Sequence, residues 1–295
     1  MLYRTSRTLK AMLLLGSMTL AVLGTGAANA QGCDRSCLAD LLTQYGAAVV
    51  AHDLGTLPLA ETVKYTVDGN AGMMDEGLQQ SVTGAHGFRQ DYLDVRQQVA
   101  AAHMVFMEGE NHVLHTVLLH VDGDNRISGI ETLNQRLTPT SRFQPTELGA
   151  PIRGMNDPIP EGERMSRANM IKIALTYPEG LRIGNFTDAG TPFAASTYRV
   201  ENGAIMAEGP GMYTQNIIVH PGIIASVAAV DEENGTVLLW MNFGHTGDSY
   251  GVGNALVTYE AFKVYGNQIH SILAFFVGLP ISRSRFWPSS DPVYR

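Results

Sequence analysis

Cysteine is almost missing from this chain: there are two, Cys33 and Cys37, in 295 residues. So small a number cannot staple a disulfide-dense scaffold, and it supplies too few ligands for a structural zinc site. Positive charge is also scarce. Lys and Arg number 20 against 28 Asp and Glu, and the formal net charge is −8. An acidic surface disfavours nucleic acid and anionic membrane as partners. Past the N-terminus, no stretch is long and apolar enough to cross a bilayer as a helix. The phosphate loop, the dinucleotide glycine fingerprint, the nucleophile elbow and the metal-binding helix pair have no match either. Neither a cofactor nor a metal ion is therefore expected.

At the N-terminus, Arg4, Arg7 and Lys10 precede an apolar run at residues 12–23, and Ala28-Asn29-Ala30 supplies the small residues of a signal-peptidase site. Residues 1–30 read as a secretory signal peptide. The mature chain is then exported, periplasmic or extracellular, with no membrane attachment once the signal is removed. Cys33 and Cys37 lie just after the cut, in an oxidising compartment where they can close a small disulfide that pins only the N-terminus.

What the sequence does have is a repeat. PLAETVKYTVDG at residues 58–69 returns as PFAASTYRVENG at residues 192–203. Around each copy the same order of elements is legible. Leu38, Leu41, Leu42, Tyr45, Ala48 and Val49 form a helical stripe, and Val63, Tyr65 and Val67 alternate as in a strand. Phe88, Tyr92 and Val95 suggest a short second helix. Strands then fall at 103–107, 112–121 and 126–133, joined by hairpin turns. After five prolines within residues 137–163, Met170, Ile171, Ala174, Leu175 and Tyr177 restart the pattern with a helix. Strands follow at 223–230, 236–243, 256–264 and 268–277. This divides the chain into a first domain at 31–136, a Pro-rich linker at 137–163, a second domain at 164–280 and a tail at 281–295.

The order of helix, strand, helix and curved antiparallel meander resembles the cone-shaped α+β fold of nuclear-transport-factor-2-like and SnoaL-like proteins. CDRSCL at 33–38 and AHDLGTLPLAETVKYTVDG at 51–69 resemble the opening of an uncharacterised family of secreted SnoaL-like proteins. AVDEENG at 229–235, FGHTG at 243–247, EAFKVYGNQIHSI at 260–272 and Arg285-Phe286-Trp287 resemble its later parts. The resemblance implies two tandem α+β barrels, each with helices packed on a strongly curved antiparallel sheet around a cavity. It departs from the family at Val67 and Val200, where relatives carry a Glu and often a His. Proteins of this fold include isomerases, dehydratases, hydrolases and cofactor-free lyases, and others that only bind or dimerise, so a homo-oligomer is allowed and fold alone does not give function.

In such a cavity a desolvated carboxylate gains basicity, and a Tyr can hydrogen-bond a developing oxyanion. The candidates are therefore acids, Tyr and His near strand entries. Each copy keeps an acid just before the Gly that ends its first strand: Asp68 in one, Glu201 followed by Asn202 in the other. Tyr65 alternates with Val63 and Val67. His112 and His120 share one face of their strand and His115 takes the other, so the three cannot form one metal site. His103, on the neighbouring strand, can approach His115 or His112. His245 sits in a Gly-rich loop with Asp248 and Tyr250. The expectation is an exported, cofactor-independent enzyme of lyase, isomerase or hydratase type, acting on a small apolar or aromatic molecule in one of the two copies. The alternative is a non-catalytic binding or assembly protein on the same fold.

Overall fold

The computed structural model describes residues 32–141, 144–145, 148, 152–245, 251–289 and 293–294. The expected signal peptide and cleavage site, at residues 1–30, lie outside them. Helix α1 (Arg35–Val50) is capped by Asp34, whose side chain accepts from the Cys37 backbone N–H at 2.8 Å. Cys33 and Cys37 are joined as a disulfide across this first turn, with their Cα atoms 5.3 Å apart.

The first sheet holds β1 (Leu59–Val67), β2 (Asn70–Ala71), β3 (Gly84–Asp94), β4 (Val99–Glu108), β5 (Asn111–Val121) and β6 (Ile127–Leu137), in the order β2-β1-β6-β5-β4-β3. The second half repeats it. Helix α2 (Arg167–Ile183) precedes β7 (Phe193–Glu201), β8 (Ala204–Glu208), the short α3 (Gly211–Thr214), β9 (Ile224–Asp231), β10 (Thr236–Asn242), β11 (Asn254–Tyr265) and β12 (Gln268–Pro280). The strand order is β9-β10-β11-β12-β7-β8, the same path, and β13 (Val293–Tyr294) from the tail is added beside β9. The chain is thus an α+β protein made of two like units. One pairing in each sheet is parallel, β1 with β6 and β7 with β12, so the sheets are mixed rather than wholly antiparallel. Register shifts interrupt several ladders, and such bulges bend a sheet around the helix it carries.

The helix expected around Phe88, Tyr92 and Val95 is instead strand β3. Phe88, Gln90 and Tyr92 are buried along it with period two, and Gln90 hides the pattern because its polar side chain is buried by bonding Asn156.

The repeated strings also find their reason. Thr66 and Val67 pair with Ala71 and Asn70 across a two-residue turn, Asp68-Gly69, with φ of 50° and 71°. Glu201 pairs with Ala204 across Asn202-Gly203, with φ of 45° and 86°. Two successive positive φ values are the hairpin geometry that favours Asp-Gly and Asn-Gly. Asp68 therefore corresponds to Asn202, and Glu201 corresponds to Val67.

Each sheet packs its helix on one face and the other sheet on its opposite face. Phe88, Tyr92, Val105 and Leu118 from the first meet Tyr198, Trp240, Tyr259 and Phe275 from the second in one buried layer. Leu148, Ile152 and Met155, from the Pro-rich stretch, join that layer. Two ion pairs cross it reciprocally. Arg35 of α1 forks onto Asp231 at the end of β9, at 2.6 and 2.9 Å. Arg167 of α2 forks onto Asp94 at the end of β3, at 3.0 and 2.7 Å. The acids complete the exchange by accepting backbone N–H groups, Asp231 from Leu93 and Asp94 from Val230. Such mutual contacts are those of an isologous two-fold interface, here within one chain. The tail then straps both halves. Arg285 bonds both oxygens of Glu131 at 2.9 Å, and Trp287 stacks on His120 with ring centres 4.0 Å apart.

Candidate functional site

The two inner faces have different contents. In the first half the described polar side chains beneath α1 bond one another, and an opening of about 170 Å³ lies between Leu42, Gly46, Phe88 and Phe106. The Tyr45 hydroxyl lies 3.0 Å from His115 Nε2, and His115 Nδ1 lies 2.7 Å from Asn134 Oδ1. The amide oxygen can only accept, so Nδ1 carries the proton and Nε2 accepts from Tyr45. Burial holds the His115 pKa down to about 4. Asp68 Oδ1 accepts from the Asn134 backbone N–H at 2.8 Å. Burial raises the Asp68 pKa, against the Asn134 donors that lower it. Tyr65 is buried beside this group, and burial pushes its pKa up to about 12. Asp68, Tyr65 and His115 are thus brought into one buried region.

His103 does not join them. Cross-strand pairing sets Met104, not His103, opposite His115, which puts the two histidines on opposite faces of the sheet. His103 lies in the layer between the sheets. Its Nε2 donates to the Tyr259 carbonyl at 3.1 Å and its Nδ1 accepts from Tyr92 at 2.8 Å. Both nitrogens are occupied, and burial lowers its pKa to about 3. His245 is exposed, and Asp248 and Tyr250 lie outside the described residues.

The second half keeps a cavity of about 570 Å³, within the range of small-molecule sites. Strand parity builds its wall. On β11, Leu256, Thr258 and Glu260 face α2, and on β7, Arg199 and Glu201 face the same way. Arg199 is the hub. Its Nε lies 2.7 Å from Glu201 Oε1, in an ion pair poorly aligned for hydrogen bonding. Its Nη1 donates to the Tyr177 hydroxyl at 3.0 Å and its Nη2 to Gln215 Oε1 at 2.6 Å. Burial opposes the Arg199 charge, but Tyr177, Glu201 and Glu260 hold its pKa above the ordinary value.

Glu260 is 2% exposed, and its Oε1 has no hydrogen-bond partner. Burial, reinforced by the charge of Glu201, pushes its pKa up to about 8, against the opposing pull of Arg199 and a hydrogen bond from Tyr177. On the same wall His220 is 3% exposed and its Nδ1 is also without a partner.

Among the positions singled out in the sequence, only Glu201 lies on this wall. Glu260, Arg199, Tyr177 and His220 were missed. The available signal was parity: in TYEAFKVY an acid occupies the centre of an alternating apolar strand.

The fold and site define a tandem α+β protein whose second unit holds an acid-lined cavity. Residues 163–276, the stretch that builds this cavity, match the model of a domain of unknown function (DUF8021). Among solved structures, the chain is similar to a steroid delta-isomerase from Pseudomonas aeruginosa. The identity is 16%, over 34% of this chain and 80% of that one, with a TM-score of 0.28. No curated protein matches the chain.

Proposed function

We propose that the chain is an exported enzyme that works without a cofactor, moving a proton on a small, mainly apolar or aromatic molecule held in the second cavity. The observation that carries this reading is Glu260: a carboxyl buried in the wall of this cavity with one oxygen unpartnered. A carboxylate with its pKa near the working pH is suited to general-base catalysis. In the reaction, a C–H bond beside a carbonyl breaks, the proton passes to Glu260 Oε1 and the electron pair moves onto the carbonyl oxygen. The positive charge of Arg199, on the same wall, stabilises that developing charge. Return of the proton to another carbon gives isomerisation, and loss of a leaving group gives elimination.

The test is a turnover screen of enones, aromatic diols and epoxides by mass spectrometry. With a substrate in hand, kcat/KM should rise with pH through about 8, where Glu260 becomes ionised. Glu260→Gln should lower it by roughly 10²–10⁴-fold. Undiminished turnover in Glu260→Gln would move the chemistry elsewhere. The second reading, a binding protein, is favoured by the apolar groups at the mouth, where Met206 and Ile218 are exposed. It prevails if library members bind in the cavity and none reacts.

A further inference from the structure

Within the second cavity most polar groups satisfy one another. Gln215 accepts from Arg199 and donates to the Met212 carbonyl at 2.8 Å. Thr258 donates to the Phe275 carbonyl at 2.9 Å. Among the described wall residues, Arg199 is the one cation, and Glu201 is ion-paired with it. No free positive charge is left for an anionic ligand, and Glu260, uncharged below about pH 8, offers no anion to a cationic one. The occupant that fits is uncharged.

His220 adds a more specific demand. Its backbone N–H donates to the Leu181 carbonyl at 2.9 Å, and its ring stands edge-on to Phe243 with centres 4.8 Å apart, so the imidazole is held at both ends. The Phe243 backbone acts on the ring electrostatically, raising its pKa against burial as a carbonyl does, and so favours a proton on the nitrogen nearest it. A backbone carbonyl takes a proton donor, which leaves the orphaned Nδ1 of the neutral ring as an acceptor. A buried acceptor with no donor is costly and is characteristically completed by what binds there.

We infer that the cavity takes an uncharged, largely hydrocarbon molecule bearing a hydroxyl group, and that His220 Nδ1 accepts the hydrogen bond of that hydroxyl while Glu260 meets the reacting end. This rests on the reading of the second cone as the working site. Burial depresses the His220 pKa to about 4, so the ring stays a neutral acceptor through the physiological range. A site that hydrogen-bonds a ligand hydroxyl rejects the analogue without one, because its own polar group is then left unpaired.

The probes are acetylnaphthol, with its hydroxyl and ketone at opposite ends of the ring system, its methyl ether, and acetylnaphthalene. Affinities come from fluorescence titration of the full mature chain. Acetylnaphthol should bind at least about tenfold more tightly than either analogue, the size expected of one buried hydrogen bond. His220→Phe should bring the three within about twofold of one another while keeping the affinity for the ether. His220→Gln, which retains an acceptor, should keep part of the preference, and Glu260→Gln should keep all of it. Equal binding of the three probes by the wild type overturns the inference, as does a preference that survives in His220→Phe. Should His220→Phe fail to fold, the wild-type series and His220→Gln decide. Absence of binding by every probe overturns it together with the cavity reading. Binding blind to the hydroxyl, with turnover still lost in Glu260→Gln, overturns it alone.

Discussion

Individual buried side chains set how this protein responds to pH. His103, His115 and His220 are held neutral by burial, with pKa values of about 3, 4 and 4 against an ordinary 6.5. The unfolded chain binds protons at these groups that the folded chain refuses. Their contribution to stability is therefore complete above about pH 6.5 and is lost as pH falls toward 4. Glu260 works in the opposite sense, because its folded pKa of about 8 lies above its ordinary 4.5. Its contribution is complete below pH 4.5 and is lost as pH rises through 8. Three histidines outweigh one acid on the acidic side, so thermal stability should peak near pH 6.5. Glu260→Gln should flatten the alkaline limb and steepen the acid limb above pH 4.5, where the acid opposes the histidines. Melting curves between about pH 4 and pH 9 check this, and an unchanged alkaline limb in the variant would refute the assignment.

At the level of elements, the two hairpin turns are the most demanding pieces of local geometry. Gly203 has φ of 86°, and a Cβ there would overlap the backbone of Pro145. Gly203→Ala should cost about 1–3 kcal/mol through backbone strain, before the displacement of Pro145 is counted. Gly123→Ala, in a turn with nothing within 4 Å of the added carbon, should be close to neutral. Equal denaturation midpoints for the two variants would count against the strained turn. These turns were also what made the fold legible, since a hairpin that needs Asp-Gly or Asn-Gly repeats that signature with each copy. The same signature does not distinguish the two acids it carries. Asp68 and Glu201 drew attention together as acids beside a glycine, yet Asp68 shares the turn position of Asn202, and only Glu201 reaches the open cavity. Strand β3 was illegible for a different reason. Its buried face includes Gln90, whose fitness for the interior depends on Asn156, distant in sequence, and no local pattern announces such a partner.

Across the whole molecule, residues 31–295 form one compact unit, because each sheet buries its back against the other. Unfolding should follow a single cooperative transition, and two resolved transitions in denaturant would contradict it. The crossing ion pairs are unequal supports. The Arg167 side chain is 9% exposed and that of Asp94 1%, whereas Arg35 is 32% exposed. Arg167→Ala strands a buried carboxylate and should cost about 3–5 kcal/mol. Arg35→Ala should cost less, since water reaches its partner more readily once the guanidinium is gone. A reversed order in equilibrium denaturation would show that burial is not what ranks them.

The reciprocal exchange of Arg35 for Asp231 and Arg167 for Asp94 has a consequence for how such a chain evolves. In a dimer of identical subunits, every substitution is made twice and must suit both cavities. Once the two copies share a single chain, selection can act on each separately. The half holding Tyr45, His115 and Asn134 keeps these buried polar groups bonded to one another. Its twin could then tolerate an unpaired acid and an unpaired imidazole in its interior, a liability carried by one copy and underwritten by the other.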